Sequence, residues 1–230
     1  MIEEAPLLTI HAERARPTAA QLDALRGVPT GYLADAMNGR GGLDPDIKAL
    51  SPGVLPEHIC AAALTCLCGP ADVLTVFAAL GELKRGDLLV AATNAYRHCA
   101  AAGDRVVGML SNSGASGFLT DGLMRDRQGI NDVGLPVFCA GLSPNSPFSK
   151  GPGEIGCEVV VGGVSINTGD VVVTDDSGIV VVPYERIDSV IASLAGIRTL
   201  EDALDEKVRQ GLTIPDDIAA LLKSDRVKRL

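Results

Sequence analysis

Between residues 59 and 141 the chain alternates two patterns, and that alternation restricts the fold more than any other feature. "ICAAALTCLCG" (59–69) is a continuous apolar run and reads as a buried strand. "ADVLTVFAALGELKRG" (71–86) has helical spacing, with Val73, Val76, Phe77, Leu80 and Leu83 on one face and Gly86 as the stop. "GDLLVAA" (86–92) reads as a strand. "GDRVVGMLSNSGASG" (103–117) reads as a helix opened by Gly-Asp, with Val106, Val107, Met109 and Leu110 inside. "GFLTD" (117–121) is the next strand, "RDRQGINDVG" (125–134) a short helix or turn, and "LPVFCAG" (135–141) another strand. Strands alternating with helices predict a parallel α/β layer.

The flanks differ. Residues 17–38 read as two short helices, the second with Thr30 as N-cap and Asn38-Gly39 as its end. A Gly-, Asp- and Pro-rich loop follows (39–57). Residues 153–183 hold three closely spaced β runs, with "TDDSG" as a hairpin turn. Residues 184–211 read as a helix with Gly196 inside it, and 212–230 as a further helix packed on the body or on a neighbour. No stretch reads as a flexible linker. The expectation is one compact α/β domain over 1–230, with an α/β layer, an antiparallel β layer, and N- and C-terminal helices.

Charge and composition exclude several functions. The net charge is −9, aromatic residues make up 3%, Trp is absent, and the one short basic block is the terminal "RVKRL". Nucleic-acid binders carry a basic face and stack bases on aromatics, so no nucleic-acid partner is expected. An anionic substrate would have to be attracted locally, by a metal or a placed Arg. The six Cys sit mainly in apolar contexts and read as reduced, buried side chains. The start "MIEEAPLLTI" is acidic without a long apolar core, and no 18-residue apolar stretch occurs. A cytoplasmic protein with no signal peptide and no membrane partner is expected.

Phosphate-cradling loops, dinucleotide fingerprints and a Ser nucleophile elbow are all absent from the sequence. Acids beside glycines remain. Asp104 follows Gly103 at a helix start, Asp121 ends a strand, and Arg125-Asp126 opens the next turn. In a parallel layer, strand carboxyl ends and helix amino ends gather on one edge, where ligands bind. N–H groups around Arg105 and Val106 could hold a carboxylate, Arg125 an oxyanion, and Asp126 or Asp104 a hard cation. Each residue also has an ordinary use: Asp104 as a cap, Asp121-Gly122 as a turn, Arg125-Asp126 as a surface ion pair.

Gly103-Asp104, twenty further residues, then Arg125-Asp126 resembles the Asp-x20-Arg-Asp core of class II pyruvate aldolases. These are the 4-hydroxy-4-methyl-2-oxoglutarate / 4-carboxy-4-hydroxy-2-oxoadipate aldolases and their RraA-like relatives. The resemblance spans about 28–211 and includes "PTGYLADAM", "GDLLVAA", "GASGFLTDGLMRD", "LPVFCAG" and "VVVGGVSINTGDVVVTDDSGIVVVP". It implies an RraA-like swivelling β/β/α sandwich, assembled as a homotrimer or homohexamer with sites between subunits. It further implies a Mg²⁺ or Mn²⁺ cofactor on Asp126, with Asp104 acting through metal-bound water. The backbone of Gly103, Asp104, Arg105 and Val106 would hold the pyruvyl carboxylate of a small oxo-acid substrate, and Arg125 its oxygens. A further acid, Glu201, ten residues before Gly211 and with Asp202, Asp205 and Glu206 as near alternatives, would come from a neighbouring subunit. The implied activity is cleavage of a 4-hydroxy-2-oxo acid to pyruvate, with oxaloacetate decarboxylation as a side activity. The alternative is a non-catalytic regulator of an RNA-processing enzyme. The chain departs from the pattern at Ala100, where the family often has Gly, and in the stretch holding Tyr96, Arg97 and His98.

Overall fold

The computed structural model describes residues 6–229. Half of the acidic start read as lacking a signal peptide, residues 1–5, lies outside them, as does Leu230 at the end of the expected terminal helix. In chain order the elements are β1 (Leu8–Ile10), α1 (Ala19–Leu25), α2 (Thr30–Ala36), β2 (Lys48–Ala49), β3 (Ile59–Leu67), α3 (Leu74–Ala79), β4 (Leu88–Ala92), β5 (Ala100–Ala102), α4 (Asp104–Asn112), β6 (Gly117–Thr120), β7 (Leu123–Met124), α5 (Arg127–Val133) and β8 (Val137–Cys139). There follow β9 (Gly153–Ile155), β10 (Val159–Val161), β11 (Val164–Ile166), β12 (Val171–Asp175), β13 (Gly178–Val182), a 3₁₀ turn at Tyr184–Arg186, α6 (Ile187–Arg209) and α7 (Asp216–Leu222).

The four apolar runs form the expected parallel ladder, β3-β4-β6-β8. β3 joins two layers. Its first half, Ile59–Ala62, pairs antiparallel with β12, while Ala63–Leu67 pairs with β4. A strand flanked by both layers has no solvent face, which is why its sequence is apolar without alternation. β12 and β13 form a hairpin, with Asp175 opposite Gly178 as the "TDDSG" turn predicts. The 153–183 region holds five short strands rather than three.

Side-chain alternation sorts the ladder into two faces. Leu89, Ala91, Phe118 and Val137 face α3, α4 and α5, meeting Val76, Val107, Leu110 and Ile130. Leu88, Val90, Leu119 and Phe138 face the second β layer, meeting Val161, Ile166, Val172 and Val181. The far side of that layer packs Val171, Val173, Val180 and Val182 on Leu25, Leu33, Val190 and Leu194 of α1, α2 and α6. The result is the expected β/β/α sandwich with a further helical layer. Among the described residues no helix is long and apolar enough to cross a membrane.

Some local expectations need correction. The helix predicted over 71–86 is helical only at Leu74–Ala79, and Phe77 and Met109, expected inside, are 40% and 44% exposed. Both carry hydrophobic side chains on the solvent side of short helices, a placement that burial statistics permit. Thr30 is not the N-cap of α2; Pro29 holds that position. The Thr30 N–H and hydroxyl instead donate to the Asp175 carboxylate, at 2.8 and 2.7 Å. The cap thus comes from the hairpin 145 residues away in sequence, ties helix to sheet, and sets a negative charge at the helix amino end.

Burial alone would push the Asp175 carboxyl up, but hydrogen bonds from Thr30, Ser177 and Gly178 outweigh it and hold it below its ordinary 3.8. A depressed carboxyl stabilises the fold above its unfolded pKa and loses that contribution as pH falls through its folded value. Asp175→Ala is therefore expected to cost about 1 kcal/mol at neutral pH in urea unfolding. The difference from wild type should close only below about pH 4; a gap unchanged at low pH would show that the charge is not what matters.

Candidate active site

The site is built where two very short strands meet. β5 and β7 pair in parallel, Ala102 beside Met124, and the Arg125 N–H donates to the Ala102 carbonyl at 3.1 Å. On one strand Ala102 is followed by Gly103, which leads into α4. On the other, Met124 is followed by Arg125 and Asp126, which lead into α5. The pairing therefore carries the two motifs side by side, as expected of strand carboxyl ends.

Asp126 adopts a left-handed backbone, φ 57° and ψ 44°. Its Oδ2 lies 3.1 Å from Arg125 Nε, and both side chains are partly exposed. The pair rests on Gly103: a Cβ there would fall 2.6 Å from Asp126 Oδ2 and 3.0 Å from Arg125 Cγ and Nε. Asp104 begins α4, where the first helical N–H groups have no intrahelical partner. Its Oδ1 accepts from the Arg105 N–H at 2.7 Å. Its Oδ2 lies over Gly129 of α5, where a Cβ would come within 2.5 Å. Both carboxylates thus occupy room that only glycine leaves open. Val106 is buried, offering its N–H rather than its side chain, and Arg105 is exposed.

The structure brings Gly103, Asp104, Arg105, Val106, Arg125 and Asp126 together. It does not bring Glu201 to them within one chain. α6 packs on α1 and α2, and there the carboxylates of Glu201, Asp202 and Asp205 add to desolvation in pushing up the Tyr32 phenol. Asp121 stands apart from the reactive groups too. It is only 5% exposed and accepts from the Thr93 N–H and hydroxyl and the Ala95 N–H at 2.6–2.8 Å. It holds a turn, as expected of a structural acid, but the turn is 93–95 rather than its own.

Two contributors escape the sequence reading. Ser146 Oγ accepts from Arg125 Nη1; nothing in "SPNSPFSK" announces it. Gly129 had a signal, since glycine inside a helical pattern is costly and often marks close packing. Cavities of about 380 Å³ (beside Thr30, Lys48 and Asp175) and 410 Å³ (beside Asp44, Arg97 and Asp121) lie elsewhere. The candidate site is an open shelf.

The donor set decides which metal would suit it. Among the described residues no three His, Cys, Asp or Glu side chains converge into a cage. Asp126, with Asp104 nearby, offers one or two carboxylates in the open. That fits Mg²⁺ or Mn²⁺, hard cations that keep several waters and share ligands with substrate, rather than a closed structural zinc site.

The family model for RraA-like aldolase/RraA proteins matches residues 30–181. The chain belongs to this family. A protein of Halalkalibacterium halodurans named "Putative 4-hydroxy-4-methyl-2-oxoglutarate aldolase" is 30% identical over 196 residues, covering 85% of this chain and 89% of that one. An uncharacterised Pseudomonas syringae protein superposes with a TM-score of 0.74 at 25% identity, over 87% of this chain and 93% of its own. Streptomyces coelicolor RraAS2, described as an unusual member of the RNase ES inhibitor RraA family, superposes at 0.73 and 25% identity, over 84% of this chain and all of its own. The RraA-like family thus includes both an aldolase name and an inhibitor name among this chain's relatives.

The glycine cradle is directly testable. At φ −139° the Gly103 backbone accepts any residue, so Gly103→Ala should fold with a melting temperature close to wild type. Its methyl would push Asp126 and Arg125 apart. Mn²⁺ affinity, read by electron paramagnetic resonance, is expected to fall at least about tenfold, as for disturbed ligand surroundings. Unchanged affinity would remove Asp126 as the ligand.

Proposed function

We propose that the protein is a divalent-metal-dependent aldolase that cleaves a 4-hydroxy-2-oxo acid to pyruvate and a second oxo acid. The observation that supports this best is the Arg125–Asp126 pair held against Gly103 at the amino end of α4. The substrate's 1-carboxylate would lie on the N–H groups of Gly103 to Val106, taking the Arg105 N–H from Asp104 Oδ1. A water oriented by Asp104 would accept the 4-hydroxyl proton. The C3–C4 pair of electrons then moves into the C2–C3 bond, C4 becomes a carbonyl, and a pyruvate enolate remains. Arg125 supports the negative charge on its oxygen until C3 is protonated. Bound Mg²⁺ or Mn²⁺, held by Asp126, would supply Lewis acidity toward the 2-oxo group. Oxaloacetate can form the same enolate by losing CO₂, which makes decarboxylation the expected side activity.

The assay is pyruvate release from 4-hydroxy-2-oxo acids in Mg²⁺, with and without chelator. Chelation should abolish it, and Asp126→Ala or Arg125→Ala should lower turnover by about 10² or more. Likeness to RraAS2 supports a second reading, a regulator that binds an RNA-processing enzyme. Absence of turnover on every such acid would favour it.

Glu201 enters this proposal from a neighbouring subunit of a homotrimer or homohexamer. Beside it on α6, Leu200, Leu204 and Val208 form an exposed apolar stripe at four-residue spacing, and a stripe of this kind suits a helix that covers another surface. Mixed oligomers of Glu201→Ala and Asp126→Ala subunits should regain activity that neither variant has alone. Failure to regain any, with subunit exchange verified by mass, would overturn the contribution of Glu201 from a neighbouring subunit.

A further inference from the structure

We infer that residues 6–16 are a releasable strap, latched by two arginine–carboxylate pairs, that opens as a unit while the body stays folded and so bares the β9 edge. The strap lies ahead of residue 30, where the family match begins. It contains β1, an edge strand of the nine-stranded sheet, and ends at Pro17, which is buried. Glycines set its course. A Cβ on Gly151 would fall 2.9 Å from the Leu7 carbonyl oxygen, and one on Gly156 3.0 Å from that of His11. One on Gly169 would fall 2.3 Å from that of Ala15. Three separate points of the body are thus cleared for one passing backbone.

What holds the strap is polar. No residue from 6 to 16 is buried, and Leu7 and Ile10 are 63% and 47% exposed, so little apolar burial opposes release. Backbone bonds tie the first half. The Gly153 N–H donates to the Leu7 carbonyl at 3.0 Å, and the His11 N–H donates to the Ile155 carbonyl at 2.9 Å. Ion pairs tie the second half, Arg14 to Glu82, and Arg16 Nη1 to Asp87 Oδ1 at 2.6 Å. Asp87 is buried, and its other oxygen accepts from the Lys84 N–H at 2.9 Å. The strap therefore supplies the counter-ion of a carboxylate that belongs to the body. A segment held by a few backbone bonds and two charge pairs, without an apolar face, stands at the low-stability end of a fold. Its release also removes Pro6 and Thr9 from the wall of a cavity of about 380 Å³ lined further by Cys68 and Asn94. Those two residues follow β3 and β4, at the edge where ligands enter a parallel layer.

Trypsin reports the opening. Within the strap it can cut after Arg14, whereas Pro17 blocks cleavage after Arg16. Glu82→Gln combined with Asp87→Asn removes both carboxylates and leaves the strap sequence intact. Cleavage after Arg14, identified by mass, is expected to quicken about three- to tenfold, the range for two partly exposed ion pairs. Wild type should quicken in the same direction from about 0.1 M to about 1 M NaCl, with the salt response of trypsin calibrated on a free peptide of the strap sequence. In the double variant the Gly153 amide, freed from Leu7, should exchange hydrogen faster, while amides of β6 and β12 keep their wild-type protection. Unchanged cleavage in the double variant would overturn the latch. Equal acceleration in β6 and β12 would overturn release as a unit, because strap and body would then open together. Neither readout uses substrate or metal, so loss of the proposed activity would leave this inference standing.

Discussion

The hydrogen bond from the Arg125 N–H to the Ala102 carbonyl is the contact on which the site depends. It registers two strands of three and two residues that would have no stability alone. Their stability comes from the turns that feed them. Asp121 holds the 93–95 turn that leads toward β5, and Gly122 lets β7 start against it, since a Cβ there would meet Thr93 Oγ1 at 2.9 Å and Ala101 Cβ at 3.2 Å. A buried carboxylate is costly unless its lone pairs are satisfied, and Asp121 has three donors. A side chain that touches no reacting group thereby fixes where both reactive motifs stand.

How far the sequence carried the fold follows from element length. The strands of the parallel ladder were legible because each is an apolar run bounded by glycine or by helical spacing. β5 and β7 were not, because two or three residues carry no period, and "CAAAGD" reads equally well as a helix approach. β1 and β2 escaped for the same reason. The α2 cap was misplaced because its oxygen comes from Asp175, and long-range capping leaves no local spacing to read. In the site, Asp104, Arg125 and Asp126 were legible as acids and Arg beside glycines at strand ends. Ser146 was not, since its hydrogen bond from Arg125 depends on a loop whose path is set by Asp72 and Asn145.

The charge problem that the proposed anionic substrate poses for a protein of net charge −9 has a local answer. The amino end of α4 and the Arg125 guanidinium supply positive potential on one shelf. Arg105 and Arg127, the residues next after Asp104 and Asp126, are exposed at the same edge. Arg125 and Arg127 therefore bracket Asp126 in sequence, Arg105 follows Asp104, and the site's own field opposes that of the whole chain. At distances beyond a Debye length of about 8 Å the global charge is screened, so the near groups dominate once a ligand is close.

The backbone at residue 126 is consistent with the ligand role proposed for Asp126. A left-handed residue at this junction would be placed at least cost by glycine, and the same chain uses glycine at many such positions, Gly134 at the other end of α5 among them. Asp in this conformation costs roughly 1 kcal/mol, and its side chain caps no N–H of the helix it begins. The carboxylate therefore returns nothing to α5 by way of a cap. What it gains is a position over Gly103, beside Arg125 and open to solvent, where a glycine would leave no charge. A residue that strains its backbone, forgoes the cap, and stands where a second glycine has been cleared to receive it fits the proposed ligand role better than a purely structural one.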